Sequence, residues 1–179
     1  MGVPQHPYLN LSVSDLRFWS IVATIAFALA TVVFVIAIPV PHLSLVADFV
    51  RSDSVNAQVA LDHWGSEIRE AFRFMLGFDF LYDLVHNNLV ALLAAWGAVR
   101  VGRYWALAVA CVVAWTLWLD SAFNVAENLA YVRVLSTNNV EPWHFYASTI
   151  FRFRTATLFG SALAALVLHT YAFGKRRVA

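Results

Sequence analysis

The stretch that decides the fold is Phe18–Val40, FWSIVATIAFALATVVFVIAIPV, which contains no charged residue. A helix that crosses the hydrocarbon core of a bilayer needs about 20 mostly apolar residues, and this stretch supplies them. It is too long for the apolar core of a signal peptide and lacks a clear small-residue cleavage site before Pro39 and Pro41. We therefore expect it to be retained as a membrane-spanning helix.

The whole chain is rich in apolar residues and poor in charged ones. Of its 179 residues 61% are hydrophobic and only 13% are charged, whereas a soluble domain has about 25% charged residues. This composition excludes a disordered protein, a nucleic-acid-binding protein with a basic face and an ordinary soluble domain. Further spans are predicted at about residues 77–99, 104–131 and 149–173. The predicted fold class is all-α: one polytopic membrane domain over residues 1–179, with four transmembrane helices in a bundle.

The distribution of basic residues predicts the orientation. Four spans place both termini on the same side, and the positive-inside rule assigns the more basic side to the cytoplasm. That side would hold one acid, Asp15, against six basic residues, Arg17, Arg100, Arg103, Lys175, Arg176 and Arg177. The bias towards Arg over Lys, with abundant Ala and Val, suggests a bacterial genome rich in GC. We expect a multi-pass protein of the bacterial cytoplasmic (inner) membrane, with both termini cytoplasmic.

The first outer connection contains a helical pattern at about residues 55–75. Apolar residues recur there on one face, Leu61, Trp64, Ile68, Ala71, Phe72 and Met75. Polar residues occupy the other face, Asp62, Ser66, Arg69, Glu70 and Arg73. The pattern predicts an amphipathic helix lying on the outer membrane surface. Its role is either a plain cover over the bundle mouth or a lid that controls access of a substrate.

Polar residues recur at helical spacing in the outer halves of three predicted spans. They are Asp79, Asp83, His86, Asn87 and Asn88 in the second span, Asp120, Asn124, Glu127 and Asn128 in the third, and Arg152, Arg154, Thr157 and Ser161 in the fourth. A rise of about 1.5 Å per residue places these stripes at similar depths. Since a charge facing lipid costs at least about 2.5–3.5 kcal/mol, the three stripes should face one another.

The predicted result is a buried ionic cluster that is also the candidate binding site. Arg152 and Arg154 point about 200° apart on a helix, so one of them must face outwards. We expect Arg154 to face inwards and Arg152 to extend to the interface. The candidate site residues are Asp79, Asp83, His86, Asn87, Asp120, Asn124, Glu127, Asn128 and Arg154. The carboxylates outnumber the inward arginine, so some must be protonated, hydrated or paired with a bound cation.

No specific chemistry can be assigned from these residues. Asp83, His86 and Asp120 are weak candidates for a metal site, but a di-iron bundle would need two Glu-x-x-His pairs. Cys111 is the only cysteine, so an intrachain disulfide and paired-thiol chemistry are excluded. Ser121 is expected to face away from the Asp120 stripe and to lack a base. Catalytic residues, metal and cofactors therefore remain unknown.

Two short motifs carry a family resemblance. The second span reads Leu-Gly-Phe-Asp79-Phe-Leu-Tyr82, and the third ends Ala-Phe-Asn124-Val-Ala-Glu127-Asn128-Leu. Over about residues 77–164 the chain resembles small bacterial four-helix membrane proteins of unassigned function that carry an Asp-x-x-Glu-Asn motif. Here Asn124 stands where that motif has Asp. The resemblance implies no activity, but it implies that Asp79, Glu127 and Asn128 belong to one site.

The sequence leaves three functions open. The first is a non-catalytic membrane component that binds membrane lipids or a partner protein, possibly within a larger membrane complex and without nucleic acid. The second is a membrane-embedded enzyme acting on a lipid or quinone-like substrate at the outer leaflet. The third is a proton- or cation-coupled transporter, although the apolar inner halves of the spans show no continuous polar path. Whether the chain is an enzyme is not decided by the sequence.

Overall fold

The structure is a computed structural model that describes residues 5–137 and 140–176. Within these ranges the chain is all-α and has no strand, as predicted. A short 3-10 helix, Pro7–Asn10, precedes six α-helices. They are α1 (Val13–Ala37), α2 (Val40–Arg51), α3 (Ser54–His63), α4 (Ser66–Val101), α5 (Tyr104–Ser136) and α6 (Val140–Arg176).

Four helices in the described ranges are long and apolar enough to cross a membrane. They are α1, α4, α5 and the Val140–Gly174 part of α6, so the prediction of four helices suited to spanning a membrane is confirmed. The helices α4 and α6 start about two to three turns before the predicted spans, counting about 3.6 residues per turn. Hydropathy marks only the part of a helix that suits hydrocarbon, whereas the backbone hydrogen bonds continue beyond it. The chain is therefore treated below as a multi-pass membrane protein.

Local sequence signals determine where several of these helices begin and end. The helix α1 ends just before Pro39, which lacks the backbone N–H that a helix interior requires. The helix α3 begins after Asp53, whose side chain accepts a hydrogen bond from Asn56 N at 2.8 Å. Between α4 and α5, Gly102 adopts a φ of 64°, in the left-handed region where glycine has no steric penalty. This glycine makes the short turn between the second and third spans possible.

The chain forms two compact units. The first draws its described residues from Met1–Ala28, Leu84–Ser121 and Thr155–Ala179. The second draws them from Leu29–Asp83 and Ala122–Arg154. Each of the four long helices contributes residues to both units.

The core of the first unit is built mainly from small residues of α4, α5 and α6. Its fully buried alanines include Ala91, Ala94, Ala98, Ala106 and Ala110. A Cβ placed on Gly97 would lie 3.0 Å from Leu168 Cβ and 3.3 Å from the backbone of Leu168 and His169. Association of helices inside a bilayer depends on close packing of this kind, because lipid tails are as apolar as the side chains they would replace.

The core of the second unit is aromatic. The rings of Phe49, Trp64, Phe72 and Tyr131 pack with centroid distances of 4.9–6.2 Å. His144 of α6 lies 3.0 Å through Nε2 from the carbonyl oxygen of Phe49. Through these contacts α2 and Trp64, the residue after α3, are packed onto α4, α5 and α6, and Ala57 and Leu61 of α3 belong to the same core.

The predicted single helix over residues 55–75 is not observed. The helix α3 ends at His63 and α4 begins at Ser66, so residues 66–75 are the first turns of the second long helix. Arg69 stabilises the break, because it donates hydrogen bonds to the carbonyl oxygens of Leu61 at 2.6 Å and Trp64 at 3.4 Å. The expected apolar residues Leu61, Trp64 and Phe72 are instead buried in the aromatic core of the second unit.

We predict that Gly97→Ala destabilises the protein by about 1–3 kcal/mol, because the added methyl group overpacks the contact with Leu168. Gly160→Ala is the matched control on a helix of the same unit, since its Cβ would meet nothing within 4 Å. Thermal unfolding of the detergent-solubilised variants measures the difference. Equal melting temperatures for the two variants would contradict the close approach of α4 and α6.

Candidate functional site

The strongest polar contact among the described residues is an ion-pair triad in the second unit. Arg154 Nη2 lies 2.5 Å from Asp83 Oδ1, and Arg154 Nη1 lies 2.6 Å from Glu127 Oε2. The three side chains are 6–7% exposed. Asp83 belongs to α4, Glu127 to α5 and Arg154 to α6, so one guanidinium group ties three membrane-spanning helices together. We call these three residues the ionic cluster.

Helical spacing explains which arginine reaches the ionic cluster. Arg154 is 6% exposed as a residue, whereas Arg152 is exposed. This is the arrangement that a rotation of about 100° per residue predicts for two residues separated by one position. The planar guanidinium presents separate N–H groups to the two carboxylates, which the single ammonium group of a lysine would not reproduce.

The observed hydrogen-bond partners of Asp79 are side-chain amides and not a cation. Its Oδ2 accepts hydrogen bonds from Asn124 Nδ2 at 2.5 Å and from Asn128 Nδ2 at 3.2 Å. Asn128 Nδ2 also donates to Asn124 Oδ1 at 2.9 Å. We call Asp79, Asn124 and Asn128 the amide group. Asn124 therefore acts as a hydrogen-bond donor to the Asp79 carboxylate.

A separate set of polar side chains lies in the first unit. Asn87 Nδ2 lies 3.1 Å from Asp120 Oδ2, 3.0 Å from Ser121 Oγ and 3.1 Å from the carbonyl oxygen of Leu117. Thr157 Oγ1 donates to Asp120 Oδ1 at 3.1 Å. Asp120 and Asn87 are 2% and 0% exposed. We call Asn87, Asp120, Ser121 and Thr157 the first-unit polar group.

This group corrects one expectation from the sequence. Ser121 was expected to face away from the Asp120 stripe, yet its hydroxyl shares the Asn87 amide with Asp120. Adjacent residues on a helix differ by only about 100°, and the long Asn87 side chain reaches both. Thr157 is one of the polar residues of the fourth predicted span, but it is not among the predicted site residues. Its position one turn after Arg154 was the signal that could have identified it.

The remaining predicted site residue, His86, is half-buried, and its ring centroid lies 5.4 Å from that of Phe27 in α1. Across residues 5–137 and 140–176, no group of three or more His, Cys, Asp or Glu side chains could hold a metal ion. The weak metal candidates Asp83, His86 and Asp120 therefore do not form such a group.

The two units divide the predicted site between them. Asp83 and Glu127 meet Arg154, and Asp79 meets Asn124 and Asn128, all within the second unit. Asp120 belongs to the first unit, where Asn87 and Thr157 are its observed partners. The second unit thus has three predicted-site carboxylates and one buried arginine, whose Nη1 and Nη2 each pair with a carboxylate.

We predict that Arg154→Gln destabilises the protein by about 3–5 kcal/mol, because it leaves two buried carboxylates without their cation. Arg154→Lys should recover only part of that loss, since one ammonium group cannot match two carboxylates at the guanidinium geometry. Arg152→Gln, two positions away and exposed, is the control and should change stability by less than about 0.5 kcal/mol. Equal melting temperatures for Arg154→Gln and Arg152→Gln would contradict the role given to the ionic cluster.

Comparisons with known proteins give no relative. No protein-family model matches the chain, and no curated protein or solved structure matches it. Its function therefore has to be inferred from its own geometry and charge.

Proposed function

We propose that this chain is a non-catalytic multi-pass membrane protein that binds a membrane lipid or a partner protein. The observation that carries the proposal is the pairing of both Arg154 terminal nitrogens with buried carboxylates. An arginine that recruits a phosphate or carboxylate substrate needs N–H groups directed at that substrate. Here Arg154 Nη2 is directed at Asp83 and Nη1 at Glu127. The ionic cluster therefore serves to hold α4, α5 and α6 together.

The proposal includes the membrane in which the chain lies and the side on which its termini are found. Arg100 and Arg103 flank the tight turn after α4, and short loops rich in arginine favour the cytoplasmic side. This supports a bacterial cytoplasmic membrane location with both termini in the cytoplasm. Under that orientation α2 and α3 lie on the outer side and cover the bundle mouth there. The polar residues of 62–73 would then face the outer aqueous phase.

A groove in the first unit favours a lipid as the bound molecule. It has a volume of about 310 Å³ and is lined mainly by α1 and α4, with Tyr8 and Leu11 from the N-terminal segment. Its other lining residues are Trp19, Val22, Ala23, Ala26, Leu84, Val85, Asn88 and Leu92. Because its walls belong largely to membrane-spanning helices and are mostly apolar, the molecule available to fill it in a bilayer is a hydrocarbon chain.

We predict that the double variant Ala23→Leu/Ala26→Leu reduces bound lipid, because the larger side chains occupy the space that an acyl chain would fill. A loss of about 1.4 kcal/mol in contact energy would lower lipid retention roughly tenfold. Ala28→Leu, at an exposed position on the same helix, is the matched control. Native mass spectrometry of the purified protein during exchange into lipid-free detergent measures the retained lipid.

The results of this experiment distinguish binding of a lipid from binding of a partner protein. Unchanged lipid retention in the double variant would refute the groove as the binding site. Recovery of the protein with one partner at fixed stoichiometry, independent of the groove variants, would favour the partner-binding form.

A membrane-embedded enzyme is the second candidate, and one contact favours it. The Thr157 hydroxyl donates to the buried Asp120 carboxylate at 3.1 Å, and a carboxylate can accept a proton from a neighbouring hydroxyl group during a reaction. Asp120→Asn would then abolish turnover of a lipid or quinone-like substrate while the protein still folds. Under the leading proposal the same variant changes stability, and no lipid turnover is seen in the wild-type protein.

A further inference from the structure

Within the first unit, the segment before α1 is docked onto α4 and α5, which no periodic pattern in the sequence predicts. The carbonyl oxygen of Gln5 accepts hydrogen bonds from Trp115 Nε1 at 3.1 Å and from Cys111 Sγ at 3.3 Å, both on α5. The Tyr8 hydroxyl donates to Asn88 Oδ1 of α4. The segment Gln5–Leu11 therefore lies across two membrane-spanning helices and supplies part of the wall of the groove described above.

His6 is the buried centre of this segment. It is 1% exposed, and its ring centroid lies 4.7–5.0 Å from those of Tyr8, Trp115 and Trp118. Its Nδ1 accepts a hydrogen bond from Tyr8 N at 3.2 Å and so caps the 3-10 helix. Because Nδ1 acts as the acceptor, the neutral ring carries its proton on Nε2. The Nε2 atom is buried and finds no hydrogen-bond partner within the part of the chain that the structure describes.

We propose that His6 makes the docking of residues 5–11 sensitive to pH: the segment is docked while His6 is neutral and is released when the imidazole is protonated. A proton added at Nδ1 removes the acceptor for Tyr8 N. It also places a positive charge among three aromatic rings, where a buried charge needs a partner to be tolerated.

Among the residues that the structure describes around His6, none supplies a compensating negative charge. The segment itself contributes the Tyr8 phenol, α5 contributes the Cys111 thiol, and α4 contributes the uncharged Asn88 amide. The Tyr8 phenol is neutral near pH 7, and burial raises its pKa further. Burial likewise lowers the pKa of His6 below its ordinary value of 6.5.

The direction of the pH effect follows from this lowered pKa. The released segment binds a proton at an ordinary pKa near 6.5, whereas the docked segment binds it only at lower pH. Docking is therefore strongest above about pH 6.5 and weakens as the pH falls below that value. Between about pH 7.5 and about pH 5.5 the docking equilibrium constant should fall by up to about tenfold.

Cys111 provides a built-in reporter, because it is the only cysteine in the chain and its thiol contacts the docked segment. The experiment measures alkylation of Cys111 by N-ethylmaleimide in proteoliposomes at several pH values. Each rate is divided by the rate for the detergent-unfolded chain at the same pH, which corrects for the pH dependence of the alkylation reaction. We expect the protection of Cys111 to fall by up to about tenfold between about pH 7.5 and about pH 5.5.

Two variants identify the titrating group. His6→Asn keeps a side-chain acceptor that can cap Tyr8 N but does not titrate, so protection should become independent of pH. His63→Asn, at an exposed histidine of α3, should keep the wild-type profile.

Three results would overturn the proposal. They are a flat profile in the wild-type protein, a pH-dependent fall that persists in His6→Asn, and protection that increases on acidification. The last result would show that the tryptophan rings hold the imidazolium in place. Because the wild-type profile alone can refute the proposal, the test does not depend on the variant folding.

Discussion

The ion pairs of Arg154 with Asp83 and Glu127 are the contact on which the arrangement of the second unit depends. A guanidinium group and two carboxylates, each nearly excluded from solvent, are stable in a membrane-spanning region only as a set. The set fixes the rotation of α4, α5 and α6, because each helix must turn its charged residue towards the other two. The same rotation of α5 turns Asn124 and Asn128 towards Asp79.

The helices α4, α5 and α6 contribute to the cores of both units, but the two cores are packed from different kinds of residue. The first unit brings backbones close together through alanines and Gly97, and its polar contacts are hydrogen bonds around Asp120. The second unit combines the ionic cluster with an aromatic core, which α2 and α3 complete. Small residues allow close helix contact where there is no hydrophobic driving force between helices.

The sequence was sufficient to predict the four long helices and the inward direction of Arg154. Long, mostly apolar runs and a rotation of about 100° per residue determine those features without tertiary information. It was not sufficient for residues 55–75, because an amphipathic pattern does not tell whether lipid or protein covers its apolar face. Leu61, Trp64 and Phe72 turned out to face protein. The hydrogen bond of Ser121 and the docking of His6 depend on side-chain reach and on contacts distant in sequence, which periodicity does not contain.

The most direct test of the central claim is the stability of a triple variant, Asp83→Val/Glu127→Leu/Arg154→Met, compared with Arg154→Met alone. If the ionic cluster serves only to fasten the helices, apolar residues of similar size can replace all three charges together. The triple variant should then unfold within about 1–2 kcal/mol of the wild-type protein or be more stable, whereas Arg154→Met alone should lose about 3–5 kcal/mol. A triple variant that folds as stably as the wild-type protein but no longer retains lipid or partner would contradict the account, because the charges would then be required for binding itself.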